Sequence, residues 1–248
     1  MQQTLQNYNN IFWKIVKDYD LNNSNILRKM IHSFDVAKNC FSIACSQNFS
    51  VDERNLCYLM GLFHDIGRFE QWKKFQTYND RISVDHGDLS FDILCNLNCS
   101  ELFEISERES DIIKQAIKFH TKPYLGSDDE IIKYNNILKD SDAYANVVTT
   151  ANGMQQMTVS SDGVTTELLK AFYNQELLVK FSPQTKLDRS LMLSACCYYV
   201  KNSYLRKQIL DSHYIDIIYE TFSNYLNDDD KQTFKQALEH LKAHYINI

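Results

Sequence analysis

Four histidines and two aspartates of this chain fall on helical faces that are otherwise apolar. Imidazole and carboxylate together are the side-chain chemistry that binds divalent cations. His64 and Asp65 end the most apolar run of the sequence, Leu56 to Gly67. Burying the pair is costly unless something satisfies both groups, and a cation does so. His64 shares its helical face with Cys57, Met60 and Gly61, His120 with Ile113, Ala116 and Ile117, and His32 with Val36, Cys40 and Ile43. His86 aligns with Leu89 and Ile93, and Asp142 with Ile131, Leu138 and Ala145. These registers turn the five side chains toward one shared interior. Neighbouring residues on a helix diverge by roughly 100°, so His64 and Asp65 can meet one ion at a helix end while Asp65 extends to a second. Gly61, one turn earlier, lets another helix approach closely.

The elements that must position these residues read as helices throughout. Only 6 Gly and 2 Pro in 248 residues leave little material for strands joined by tight turns, and 44% hydrophobic residues supply a substantial core. Periodicity places helices over 4–19, 25–48, 52–66, 87–98, 109–121, 130–150, 165–180, 185–206, 211–226 and 229–245. Gly67, Pro123 and Pro183 act as stops. The expected organisation is a helical domain over 1–150, a connector or lid over 151–164 in which Met157-Thr158-Val159 reads as a short extended piece of a β-hairpin, and a helical extension over 165–248 packed on the same domain. A net charge of −6 argues against an extended nucleic-acid surface. No leader-like segment and no apolar stretch near the roughly 18 residues of a membrane span are found, so a soluble, cytoplasmic protein is expected. Seven cysteines without a CxxC pair read as reduced thiols acting as small core residues.

The passages IHSFDVAKNCFSIA, MGLFHDIGRFEQW, SVDHGDLSFDIL, IKQAIKFHTKP and ILKDSDAYANV carry His32, His64-Asp65, His86, His120 and Asp142 in that order. This order resembles the H…HD…D signature of the HD-domain superfamily of metal-dependent phosphohydrolases, over roughly residues 25–150. The resemblance implies an all-α HD-domain bundle with a first metal site made by His32, His64, Asp65 and Asp142. Asp140 competes for the last position, and Asp142 is preferred because it follows the small residue Ser141. It also implies that His86 and His120 hold a second ion with Asp65 as the bridge, or else that His86 begins a helix and His120 contacts a phosphate. Two ions sharing Asp65 would leave about two positive charges uncompensated, enough to attract a phosphate to an acidic protein. Mixed His and Asp ligands suit Mn, Fe, Co, Ni or Zn better than Mg.

The expected activity is hydrolysis of a nucleotide or another small phosphate ester by a metal-activated water, with Asp65 and Arg68 as catalytic residues. Arg68 is also the leading phosphate clamp, with Lys122 and then Arg81 behind it. Phe69, Trp72, Phe75 and Tyr78 form an aromatic cluster suited to core or lid packing, or to stacking a base. Asp85 and Glu70 are candidates to orient metal-bound histidines. His213, His240 and His244 are given no role. The GYP signature of cyclic-dinucleotide phosphodiesterases is missing. Alternatives are a di-iron oxygenase of the same superfamily and a ligand-sensing module without turnover. An apolar face on the C-terminal helices offers a homodimer surface.

Overall fold

Local signals start and stop the helices of the computed structural model, which describes residues 2–154 and 157–246. Ser50 and Ser106 each form a reciprocal capping box with a glutamate three residues on, Glu53 and Glu109. Asn23 and Asp85 cap two further starts with their side chains. The helices are α1 (Gln2–Val16), α2 (Ser24–Ser46), α3 (Val51–Phe63), α4 (Ile66–Phe75), α5 (His86–Asn96), α6 (Cys99–Phe103), α7 (Glu107–Lys118) and α8 (Asp129–Ala151). They continue as α9 (Thr166–Tyr173), α10 (Lys186–Ser194), α11 (Cys196–Tyr199), α12 (Ser203–Asp211), α13 (Tyr214–Ser223) and α14 (Asp228–Ile246). The fold is all-α. Among the described residues there is no strand: Met157, Thr158 and Val159, the expected extended piece, are irregular, and Gln155 and Gln156 of the same connector lie outside the described residues.

Several expected boundaries move, each for a local reason. Gly67 does not stop a helix but lies inside α4. A Cβ there would come within 2.7 Å of Ser90 N and 2.8 Å of His86 O, so the glycine serves the close crossing of α4 and α5 rather than a turn. The run over 185–206 breaks into α10, α11 and the start of α12 because the Asn202 side chain accepts from the backbone N–H of Tyr204 and Leu205 and begins a new helix. The run over 165–180 ends at Tyr173, where Gln175 takes a left-handed conformation with φ of 59°.

The chain divides into two compact units, Met1–Asp142 and Ala143–Ile248, with the division falling inside α8. In the first unit, α3 is surrounded by α1, α2 and α7, which is why residues 55–63 are buried on every face. Phe12 is fully buried and meets Phe34, Phe63 and Phe69 edge-on at 5.4–6.1 Å. Gly61 allows the tightest crossing: a Cβ would sit 2.7 Å from the Ala37 Cα of α2. In the second unit, α9, α10, α13 and α14 pack together, and the fully buried Asp188 accepts from Thr165 N, Thr165 Oγ1 and Gln184 N.

Candidate metal centre

Three of the four histidines sit at helix ends, where unpaired backbone groups can fix their orientation. His64 follows the last residue of α3, and its Nδ1 donates to Gly61 O at 2.8 Å. His120 lies just past α7, and its Nδ1 donates to Ile117 O at 2.6 Å. Both carbonyls belong to a last helical turn, where they can accept from a side chain; Ile117 O also accepts from the backbone N–H of His120 at 3.3 Å. A carbonyl only accepts, so Nδ1 must carry the proton, and in the neutral ring Nε2 presents its lone pair. His86 is the first residue of α5, and its Nδ1 meets the Asp80 carboxylate at 2.6 Å. His32 and Asp142 project from the middles of α2 and α8.

These side chains converge on Asp65, which is 2% exposed beside a fully buried His64. Asp65 Oδ2 lies 3.4 Å from His64 Nε2 and 3.8 Å from His32 Nε2. Asp65 Oδ1 lies 3.5 Å from His86 Nε2 and 3.9 Å from His120 Nε2. Asp142 Oδ1 closes the first side, 2.9 Å from His32 Nε2 and 3.9 Å from His64 Nε2. The ligand-capable atoms of His32, His64 and Asp142, and those of His64, Asp65 and His120, lie within 4.8 Å of one another.

The donor set fits a cation. His64 Nε2 and Asp65 Oδ1 are buried without a hydrogen-bond partner, a cost that a protein removes by supplying one. His86 Nε2 and His120 Nε2 face each other at 3.1 Å, although the Nδ1 contacts leave a lone pair on each. Two neutral rings held this way aim lone pairs at each other, an arrangement that either a proton on one ring or a cation between them relieves.

The electrostatics agree. Burial, helped by the charges of His86 and His64, pushes His120 down to about 3, and burial with the nearby Lys29 charge lowers His32. Both rings are therefore neutral, as ligands must be. Burial opposes ionisation of Asp65 and Asp142. It is overridden at Asp65 chiefly by the charge of Lys29, and at Asp142 chiefly by the hydrogen bond from His32, so both are held below the usual carboxylate range. Burial also opposes a charge on His64, but Asp65 outweighs it and raises that group.

The HD domain family model matches residues 30–147, a stretch opening just before His32 and closing just after Asp142. This chain carries an HD domain. The histidine–aspartate cluster lies within the matched stretch and is of the divalent-metal-binding kind. No curated protein and no solved structure matches the chain.

Within the HD domain, Asp142 and not Asp140 reaches His32 and His64. The residues around the six are less as expected. Arg68 NH1 is held by Gln71 Oε1 at 2.6 Å, Tyr78 O at 2.8 Å and Asp80 Oδ1 at 2.7 Å, while its Nε lies 3.7 Å from Asp65 Oδ1 without a hydrogen-bond partner. Lys122 pairs with Asp88 at 2.5 Å and Asp85 at 3.6 Å, and Arg81 is exposed. Asp85 caps α5 and accepts from Thr121, and Glu70 accepts from Tyr19 and Lys74, so neither touches a histidine of the cluster. The aromatic cluster splits: Phe69 is core, Trp72 packs on Tyr78 at 5.0 Å, and Phe75 is exposed.

Two residues beside the cluster escaped the sequence reading. Lys29 Nζ lies 2.6 Å from Asp65 Oδ2. Its spacing of three before His32 puts it on the same helix face, a signal that was there to be read. Asp80 lies in a loop with no periodicity, and nothing in the sequence marks it.

Proposed function

We propose that this HD domain is a two-ion phosphohydrolase or phosphodiesterase acting on a small phosphate ester, with nucleotides the first class to screen. One observation carries the reading: the two oxygens of Asp65 face different imidazole pairs, Oδ2 toward His32 and His64, Oδ1 toward His86 and His120. A carboxylate so placed suits a bridge. The first ion is assigned to His32, His64, Asp65 and Asp142, the second to Asp65, His86 and His120. The donor mixture favours Mn, Fe, Co, Ni or Zn. Such ions, when bound, bring the pKa of a coordinated water toward neutrality and stabilise charge on phosphoryl oxygens.

The protein's own contribution to substrate binding is positive charge. The cationic centres of Arg28 and Arg68 lie 5.6 Å, and that of Lys29 5.7 Å, from the centre of the Tyr78 ring. Lys29 and Arg68 also flank Asp65. This basic rim in an acidic protein attracts and orients an anionic ester. Lys122 pairs with Asp88 and Asp85, away from Asp65, and is left out of the assignment. A cleft of about 630 Å³ elsewhere in the first unit is lined by Asp52, Glu104 and Glu109 and by no lysine or arginine, which disfavours phosphate there.

Metal quantification should find about two ions per chain. The protein supplied with Mn²⁺, Co²⁺ or Ni²⁺ should hydrolyse bis(p-nitrophenyl) phosphate or p-nitrophenyl phosphate, and His64→Ala and Asp65→Ala should reduce turnover to background. Turnover surviving in both variants rejects the reading. Oxygen uptake by the ferrous protein without hydrolysis selects the di-iron oxygenase instead.

A further inference from the structure

We propose that Asp80 is a positioning residue that fixes His86 as a ligand, so that docking of the 76–85 loop and binding of the second ion are one coupled event. This rests on the two-ion reading and says how its second half is built.

The three helix-end histidines are oriented by two different devices. His64 and His120 use a carbonyl three residues back in their own turn, so their orientation is local and comes with the helix. His86 has no such neighbour. Its Nδ1 is met by Asp80 Oδ2 at 2.6 Å, from a loop that has no regular structure beyond a single 3₁₀ turn at Asp80–Ile82. The other oxygen, Asp80 Oδ1, accepts from Arg68 NH1 at 2.7 Å and Gln71 Nε2 at 2.8 Å. Both donors are on α4, directly after the His64-Asp65 pair.

The same two side chains hold the rest of the loop. Fully buried Gln71 also donates to Ser83 Oγ at 2.8 Å and Val84 O at 3.0 Å, and Arg68 NH1 donates to Tyr78 O at 2.8 Å. A chain of contacts therefore runs from α4 through the loop to the imidazole facing Asp65 Oδ1. A carboxylate on Nδ1–H fixes the tautomer that leaves Nε2 free, and it makes the imidazole a stronger ligand than a carbonyl partner does. His32 and His64, ligands of the first ion alone, are oriented from α2 and α3 rather than from this loop, so the loop bears first on the second ion.

Asp80→Asn separates positioning from loop structure. The asparagine Oδ1 still accepts from Arg68 and Gln71, while its Nδ2 now offers a proton to His86 Nδ1. His86 must then carry its own proton on Nε2, the tautomer that cannot ligate. Asp80→Ala removes both functions. Mn²⁺ binding to metal-free protein, followed by calorimetry and equilibrium dialysis, reads the two sites, and trypsin cleavage at Arg81 reads the loop.

The expected result is that Asp80→Asn weakens the second ion ten- to hundredfold, the range typical when a ligand's supporting partner is removed. The first ion's affinity and the rate of cleavage at Arg81 stay as in the wild type. Asp80→Ala weakens the second ion and speeds cleavage at Arg81, and saturating Mn²⁺ slows that cleavage in the wild type only. Asp85→Asn, an equal charge change next to His86 that keeps a capping side chain, leaves both ions in place. Two ions bound with unchanged affinity in Asp80→Asn overturn the proposal alone. A wild-type protein that holds no second ion overturns the two-ion reading and this proposal together.

Discussion

Asp140 and Asp142 differ by two positions, and both lie on α8 in the passage ILKDSDAYANV. What separates them is distance: Asp142 Oδ1 is 2.9 Å from His32 Nε2. Asp142→Asn is therefore expected to lose the first ion, since the amide keeps the size but not the charge that holds a cation. Asp140→Asn should keep its metal. Elemental analysis of the two purified variants checks this, and loss of metal in Asp140→Asn with retention in Asp142→Asn reverses the assignment. The two aspartates that escaped or divided the reading, Asp80 and Asp142, teach the same point. Residue type was legible at both, but the partner was not, because Asp80 meets His86 across an irregular loop and Asp142 meets His32 across 110 positions.

At the scale of elements, the centre depends on how closely helices cross. Gly61 brings α3 against Ala37 of α2, and so His64 within reach of His32, whose rings lie 5.3 Å apart. Gly61→Ala places a methyl 2.7 Å from the Ala37 Cα and 2.9 Å from Val36 O, both backbone atoms. The helices must part, at a cost of about 1–3 kcal/mol as for other overpacked sites. In a chain of this length that lowers Tm by roughly 2–4 °C per kcal/mol. Weaker binding of the first ion should accompany the Tm loss, and a variant with wild-type Tm and metal affinity contradicts the crossing argument.

A second element-scale prediction concerns acid. Glu53 closes the α3 capping box and pairs with Lys133 of α8 at 2.8 Å, and the Lys133 hydrogen bond is the main cause that pulls its carboxyl down to about 2 from 4.5. A depressed folded-state pKa contributes stability that is present above the unfolded value and lost as pH falls through the folded one. The stability gap between wild type and Lys133→Ala should thus be widest near pH 6 and shrink between about 4.5 and about 2. Urea unfolding across that range measures it, and a gap that grows with acid refutes the sign.

For the molecule as a whole, a cation that binds only the folded chain stabilises it, by about 2.7 kcal/mol when free metal is a hundredfold above Kd. Chelation should lower Tm by several degrees, restored by Mn²⁺ or Co²⁺, and His64→Ala should show neither shift. A chelator without effect on wild-type Tm would count against a bound resident ion. No described helix is long and apolar enough to cross a membrane, and the all-α fold expected from few glycines and prolines is the fold observed.

The sequence alone determined the helical class of the fold and the residue types of the cluster. Ligand types, their order and their apolar registers are local properties, written in spacing that repeats every three to four residues. Only the tertiary structure decided that Asp142 meets His32, that Gly67 serves a helix crossing rather than a stop, that Arg68 holds a loop, and that Asp80 meets His86. Periodicity says which face of a helix is buried. It carries no information about which other element covers that face, because that contact is chosen by the packing of the whole unit.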